Sequence, residues 1–194
     1  RRRDVLEKAA AEIGALAIPG DVGREEDAAR MVSTVVRELG DYNVLVNNAG
    51  WGRFSSLLDL QLADFQAVMQ TNVFGAMLMA RESARHFTKR NTGNIVNISS
   101  VSSVSPYPGF AAYGASKAWV NAWTNGLAEE GRPLGITVFG IAPGAVETKM
   151  LRNAFPDYPS GETMAAKDVA EIVYMATRPG YRYATGQTIF AKRS

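Results

Sequence analysis

The chain has 194 residues, of which 46% are hydrophobic and 21% charged, as expected for a globular domain with a buried core rather than a disordered chain. Its net charge is only +2 and its basic residues are scattered, so we expect no nucleic-acid partner. The absence of cysteine and the single histidine, His86, exclude a disulfide framework and a thiolate metal site, and we expect no metal. No apolar run approaches the ~20 residues that span a bilayer, so we expect a cytoplasmic protein with no membrane partner.

Segments with helical spacing of apolar residues alternate with short apolar runs along the chain. Helices are predicted over residues 1–14, 24–40, 61–87, 111–131 and 166–180, and strands over 15–22, 43–50, 93–100, 135–144 and 185–190. This alternation predicts βαβ units with right-handed crossovers and a parallel sheet covered by helices on both faces. We therefore expect one α/β domain over residues 1–194. The stretch 151–161, with two prolines and a glycine, predicts an irregular flap over a site.

Polar and small residues follow the three strongest predicted strands. The strands end in "NNAG" (47–50), "NISS" (97–100) and "APG" (142–144). In open parallel sheets, ligands bind outside the carboxyl ends of the strands. The sequence therefore predicts a ligand site at this edge.

Tyr113 and Lys117 lie four residues apart in a predicted helix, which places both side chains on one face. A neighbouring ammonium favours the phenolate, so we expect Lys117 to lower the pKa of Tyr113 and make it an acid or base near neutrality. Ser100, at a strand end, could donate a hydrogen bond to a substrate oxygen. Asn72 stands inside a helical pattern that asparagine disfavours, which indicates a polar role. On these residues alone, a solvated Tyr–Lys pair and a serine that merely caps a strand remain open alternatives.

Taken together, "NNAG", Asn72, the serine of "IVNISS", "YGASK" (113–117) and "PGAVET" (143–148) resemble the short-chain dehydrogenase/reductase family, in its order and spacing and over nearly the whole chain. The resemblance implies a Rossmann-type doubly wound parallel sheet in three α/β/α layers. It implies that Tyr113 is the general acid or base. Lys117 would lower the pKa of Tyr113 and hold the nicotinamide ribose, Ser100 would orient the substrate oxygen, and Asn72 would hold a water that leads to Lys117.

The resemblance also implies which residues bind the cofactor. The adenine would meet the Asp21 carboxylate and Val22. The adenosine ribose would pass the loop of Asn47, Ala49 and Gly50. The residues that would face the nicotinamide are Pro143, Gly144, Val146 and Thr148.

The sequence departs from the family pattern at its beginning. The family opens with a strand and a glycine-rich turn that cradles the pyrophosphate, and then a second strand. Neither is found here, so we expect a sheet that lacks the first βαβ strands, including the central one. In the family, Arg1 and Arg2 would lie beside the ribose 2′ position, where arginine suits a phosphate, so we expect NADP rather than NAD.

The expected function is an NADP(H)-dependent oxidoreductase that interconverts a carbonyl compound and a secondary alcohol. The alternative is a non-catalytic nucleotide-sensing or scaffold protein on the same fold. Aromatic residues flank the predicted site, which favours an apolar or ring-bearing small-molecule substrate: Trp51, Phe54, Tyr107 and Phe110. The resemblance further implies a homodimer or homotetramer formed by the helices that carry Asn72 and Tyr113.

Overall fold

The structure is a computed structural model that describes residues 3–193, so the predictions for Arg1 and Arg2 lie outside the described residues. The helices are α1 (Arg3–Ile13), α2 (Glu25–Leu39), α3 (Leu62–Met69), α4 (Gly75–Phe87), α5 (Ala111–Gly131), α6 (Lys149–Ala154) and α7 (Ala166–Ala176). The strands are β1 (Val44–Asn47), β2 (Gly93–Ile98), β3 (Ile136–Pro143) and β4 (Thr188–Ala191). No helix in residues 3–193 has both the length and the apolar character needed to cross a membrane.

The four strands form one parallel sheet in the order β1-β2-β3-β4. Strands β2 and β3 each have a partner on both sides, and β3 is the most buried of the four, with seven of its eight residues buried. Strand β1 pairs only with β2 in the described part of the chain, and its Val44 and Val46 are 40% and 41% exposed. Since all strands run the same way, their carboxyl ends share one edge, as predicted.

Helices cover both faces of the sheet. On one face, Phe87 of α4 and Ala128 of α5 pack with Ile95 and Val138. On the other face, Ala176 of α7 packs with neighbouring strand residues, among them Val96, Phe139 and Ile141. Consecutive residues of a strand thus pack into the two cores on opposite faces of the sheet, which explains the continuous apolar runs in β2 and β3. The predicted doubly wound α/β/α fold is confirmed.

Two of the predicted elements are wrong. Residues 15–22 do not form a strand, since no described strand runs beside them and Pro19 has no N–H to donate. The stretch 151–161 is not irregular throughout, because α6 extends to Ala154 and a 3₁₀ turn begins at Ser160. Thr148 is the N-cap of α6, and its hydroxyl accepts a hydrogen bond from the Leu151 N–H (3.3 Å).

The long helix predicted over 61–87 contains one turn of π-helix at Gln70–Phe74, between α3 and α4. Asn72 lies at the centre of this turn and is buried. π-Turns within α-helices occur often at functional sites, because the extra residue redirects side chains. Here the turn directs the Asn72 amide toward the carboxyl edge of the sheet.

Candidate active site

The site forms where the first turn of α5 meets the end of β2. Ser100 follows β2, and its hydroxyl accepts a hydrogen bond from the Ser102 N–H (3.1 Å). A Cβ on Gly114 would lie 2.6 Å from the Ser102 carbonyl oxygen, so only glycine allows this close approach. The approach places the Ser100 hydroxyl near the Tyr113 phenol, close enough to act on its pKa. The small residue after the tyrosine therefore serves the packing of α5 against the serine turn.

Lys117 lies one helical turn after Tyr113, with its ammonium nitrogen 5.6 Å from the centre of the Tyr113 ring. The side chain is buried, and Nζ donates a hydrogen bond to the Ile98 carbonyl at the end of β2 (2.7 Å). Burial disfavours the ammonium and lowers the pKa of Lys117 from 10.5 to about 8. The amine of Lys117 is therefore buried within the protein and changes its charge just above neutral pH.

The pKa of Tyr113 is raised, whereas the sequence predicted that Lys117 would lower it. The main cause is burial of the phenol, which disfavours the phenolate, and the hydrogen bond with Ser100 acts in the opposite direction. The prediction was wrong because the amine of Lys117 is itself buried and faces the Ile98 carbonyl. Without a bound ligand, Tyr113 is thus a neutral proton donor.

The Asn72 amide joins three parts of the site. Its Oδ1 accepts from the Trp51 N–H (2.8 Å), and its Nδ2 donates to the Trp51 carbonyl and to the Ser116 hydroxyl (both 2.9 Å). A Cβ on Gly50 would lie 3.8 Å from Asn72 Oδ1 and 3.6 Å from Lys117 Nζ, which places both groups beside the "NNAG" loop. Asn72 therefore fixes this loop to α5.

A chain of buried polar groups beneath the site was not predicted from the sequence. Asn47 Nδ2 donates to Asn97 Oδ1 (2.9 Å), and Asn97 Nδ2 donates to the Thr124 hydroxyl (3.0 Å). The chain connects β1, β2 and α5 across the sheet. Its signal in the sequence is an asparagine within the apolar run of β2, where a polar side chain requires a partner.

Residues predicted to bind the adenine and its ribose also lie close together in the structure. Val22, Asn47 and Ala49 line a small cavity of about 80 Å³ with Gly75 and other residues of α4 and β1. Val22 lies close against Gly75, where a Cβ would come within 2.7 Å of its Cγ2. Oδ1 of Asp21 accepts a hydrogen bond from the Gly23 N–H (3.1 Å). Asp21 and Val22 are thus placed beside the end of β1.

The "PGAVET" loop leaves the sheet at the end of β3. The Gly144 N–H donates to the Ala191 carbonyl (2.7 Å), and Val146 forms a parallel bridge with Met164. Pro143 ends β3, and Thr148 caps α6. A separate cavity of about 520 Å³ lies on this loop, and none of the predicted catalytic residues lines it. Its lining residues include Glu147, Ser160, Thr163, Asp168 and Lys192.

The comparison with protein families gives a match to the short chain dehydrogenase model over residues 1–159. The chain therefore belongs to the short-chain dehydrogenase/reductase family, whose members named below are oxidoreductases acting on CH–OH and C=O groups. The chain is 33% identical over 180 residues to a 3-oxoacyl-[acyl-carrier-protein] reductase of Synechocystis. That alignment covers 90% of this chain and 73% of the relative.

Solved structures show the same likeness. The 3-ketoacyl-(acyl-carrier-protein) reductase of Brucella melitensis, complexed with NADH, superposes with a TM-score of 0.90 at 29% identity over 98% of this chain and 83% of its own. The gluconate 5-dehydrogenase of Burkholderia cenocepacia, in complex with NADP and tartrate, gives 0.87 at 27% identity over 98% and 79%. The chain is thus an enzyme of this family.

Proposed function

We propose that this protein is an NADP(H)-dependent oxidoreductase that interconverts a carbonyl compound and a secondary alcohol. The observation that carries the proposal is the placement of the Ser100 hydroxyl beside the Tyr113 phenol at the carboxyl edge of the sheet, with Lys117 one helical turn further along α5. These groups can hold one carbonyl oxygen between a hydroxyl and a phenol. The named relatives bound to NADH and NADP support a nicotinamide cofactor.

In this proposal each side chain has one role. Ser100 donates a hydrogen bond to the substrate oxygen, and Tyr113 donates the proton that the oxygen gains as the carbonyl becomes an alcohol. A neutral phenol suits this direction because the proton is already in place. The bound cofactor would supply the hydride to the carbonyl carbon. In the reverse direction, the phenolate form of Tyr113 takes the proton from the alcohol.

The residues around Lys117 fit a nicotinamide ribose. An ammonium has three N–H donors, and Ile98 takes one of them. Gly50 lies beside Nζ without a side chain, since a Cβ there would be 3.6 Å from the nitrogen, and so leaves room for a ligand at the remaining donors. Hydroxyl groups of a ribose are suitable partners for these donors. Lys117 and Gly50 would therefore hold the ribose, and the "PGAVET" loop would face the nicotinamide.

The preference for NADP rests on Arg1 and Arg2, two arginines that are consecutive in the sequence, because guanidinium groups suit a 2′-phosphate through charge-assisted hydrogen bonds. Titration with NADPH and NADH, followed by fluorescence, tests it. We expect tighter binding of NADPH, and we expect the double variant Arg1→Ala, Arg2→Ala to remove the difference. A cytoplasmic location stays a prediction from the sequence.

We further propose a homodimer or homotetramer in which α5 faces its counterpart. One face of α5 carries small exposed residues at helical spacing, namely Ala115, Ala118, Ala122 and Gly126. Beside them, Trp119 and Trp123 are stacked at 5.2 Å and only partly buried. A flat, apolar helix face with aromatic residues is suited to close helix packing.

Replacing Tyr113 by phenylalanine tests the catalytic assignment. Tyr113→Phe removes only the hydroxyl, so carbonyl reduction should fall by at least about 100-fold because proton transfer is lost. Cofactor affinity should change by less than about threefold. The measurements are kcat/KM over a panel of carbonyl compounds and the dissociation constant for NADPH.

Tyr183→Phe is the matched control, since Tyr183 is 80% exposed and lies outside the site. It should keep full activity. Full activity in Tyr113→Phe would contradict the assignment. A wild-type protein that binds NADPH but reduces none of the compounds would favour the non-catalytic scaffold.

A further inference from the structure

We propose that a cluster of five aromatic rings beside Tyr113 is the substrate pocket and that Phe155 is its specificity-determining residue. The preferred substrate is then a ketone or aldehyde with a planar aromatic ring next to the carbonyl group. The inference rests on the proposed function and names its substrate class. The aromatic cluster consists of Phe54, Tyr107, Phe110, Phe155 and Tyr158.

Phe155 lies at the centre of the aromatic cluster. Its ring centre is 4.9 Å from that of Tyr107, 5.5 Å from that of Phe110 and 6.0 Å from that of Phe54. The Phe110 ring is in turn 5.4 Å from the Tyr113 ring, edge to face. Phe155 is therefore separated from the proposed acid by a single ring.

Two segments of the chain form a fixed wall of the pocket. The Ser55 N–H donates to the Gly109 carbonyl, and the Phe110 N–H donates to the Tyr107 carbonyl (both 2.9 Å). Gly109 has a φ of +83°, and a Cβ there would lie 2.5 Å from the Phe54 ring. Only glycine gives this turn and leaves room for Phe54. The backbone therefore sets the positions of Phe54 and Phe110.

Phe155 belongs to a different segment, which is held together from within. Arg152 binds Glu147 through two nitrogens and also donates to the Tyr158 carbonyl (2.5 Å) and the Ser160 hydroxyl (2.9 Å). In the described part of the chain, residues 148–162 form hydrogen bonds only with residues in the range 146–164. The ring of Phe155 thus projects from a self-contained segment onto the fixed wall.

The aromatic cluster is open to solvent on one side. Phe54 is 51% and Tyr107 59% exposed, and Phe155 and Tyr158 are only partly buried. Exposed aromatic faces grouped beside a proposed proton donor indicate a binding surface rather than core packing. Aromatic rings attract a second ring by offset or edge-on contacts, which a saturated ring cannot make. The pocket should therefore distinguish planar from puckered rings of the same size.

Acetophenone and cyclohexyl methyl ketone are a matched pair for the test, because they share a carbon skeleton and differ only in the saturation of the ring. We expect the wild-type protein with NADPH to bind acetophenone about tenfold more tightly, as measured by calorimetry. Phe155→Leu keeps an apolar side chain but removes the ring, so it should reduce this preference to about twofold or less. Phe155→Tyr keeps the ring and should retain it.

Tyr183→Leu is the control, since it removes an exposed ring outside the aromatic cluster, and it should leave the preference unchanged. Equal binding of the two ketones by the wild type, or an unchanged preference in Phe155→Leu with its wild-type circular dichroism spectrum, would overturn the inference. Turnover is measured separately. A Phe155-dependent preference without any reduction of either ketone would support the pocket and defeat the proposed function.

Discussion

Lys117 carries the sharpest electrostatic signature in the site. Its pKa is about 8 in the folded protein, against 10.5 for an ordinary lysine, because the amine is buried. Between these two values the unfolded chain binds more protons than the folded one, so stability rises with pH in this window. Below pH 8 the folded protein must keep the charged amine buried, so the full cost of that burial lowers the free energy of unfolding.

The pH dependence of unfolding tests this property. Between pH 7.5 and 9.5 the wild-type free energy of unfolding should rise by about 2 kcal/mol from Lys117, and Lys117→Met should lack this part. Urea denaturation at several pH values measures it. The exposed Lys89→Met should keep the wild-type rise. A Lys117→Met curve parallel to the wild type would show that the amine is not held in an apolar setting.

At the residue scale, types and spacing predicted the positions of Tyr113 and Lys117 but not their protonation. The i, i+4 spacing put both side chains on one face of α5, and the position of Ser100 at the end of a buried strand placed its hydroxyl at the edge of the sheet. The direction of the Tyr113 pKa shift could not be predicted, because it depends on how deeply the phenol is buried and on the Ile98 carbonyl that faces Lys117.

At the element scale, the π-turn of residues 70–74 joins the helices to the "NNAG" loop through Asn72. Asn72→Ala removes three hydrogen bonds and leaves the polar backbone of Trp51 without these partners. We expect a loss of about 2–4 kcal/mol in the free energy of unfolding. We also expect a higher KM for NADPH, because the loop beside Lys117 is no longer fixed.

Asn121→Ala is a suitable comparison, since Asn121 makes one side-chain hydrogen bond, to Ser103 (2.8 Å). Asn121→Ala should lower the free energy of unfolding by less than half as much as Asn72→Ala, and it should leave the KM for NADPH unchanged. Urea denaturation and steady-state kinetics give the two readouts. If both variants lost the same stability and kept the same KM, Asn72 would be an ordinary buried amide.

Element types were more predictable than element details. Strands β2 and β3 were evident because a strand buried on both faces reads as a continuous apolar run. The error at residues 15–22 arose because an apolar run becomes a strand only when a partner lies beside it, which local sequence does not show. The π-turn depends on tertiary contacts, because Asn72 at its centre binds Trp51 and Ser116, and the bonding of residues 147–160 through Arg152 follows no regular spacing that the sequence pattern shows.

At the scale of the whole molecule, the sheet brings together residues that lie far apart in the sequence. Asn47 and Pro143 end β1 and β3, and Ser100 follows β2, yet parallel strands place them at one edge. This part of the site could be predicted, because it follows from strand order alone. The aromatic cluster could be predicted only in part, since Phe155 belongs to a different segment, directly after α6.

The exposed face of α5 leads to the last prediction. Ala122 is exposed beside the stacked Trp119 and Trp123, so a glutamate there would put a charge into the proposed contact between subunits. We expect the wild type to have two or four times the mass of one chain in light scattering, and Ala122→Glu to shift it toward a single chain. Ala29→Glu, on the exposed side of α2, is the matched control and should keep the wild-type mass. Because unpaired apolar helix faces are costly in water, a wild-type protein that stays a single chain at micromolar concentration would contradict the assignment of this face.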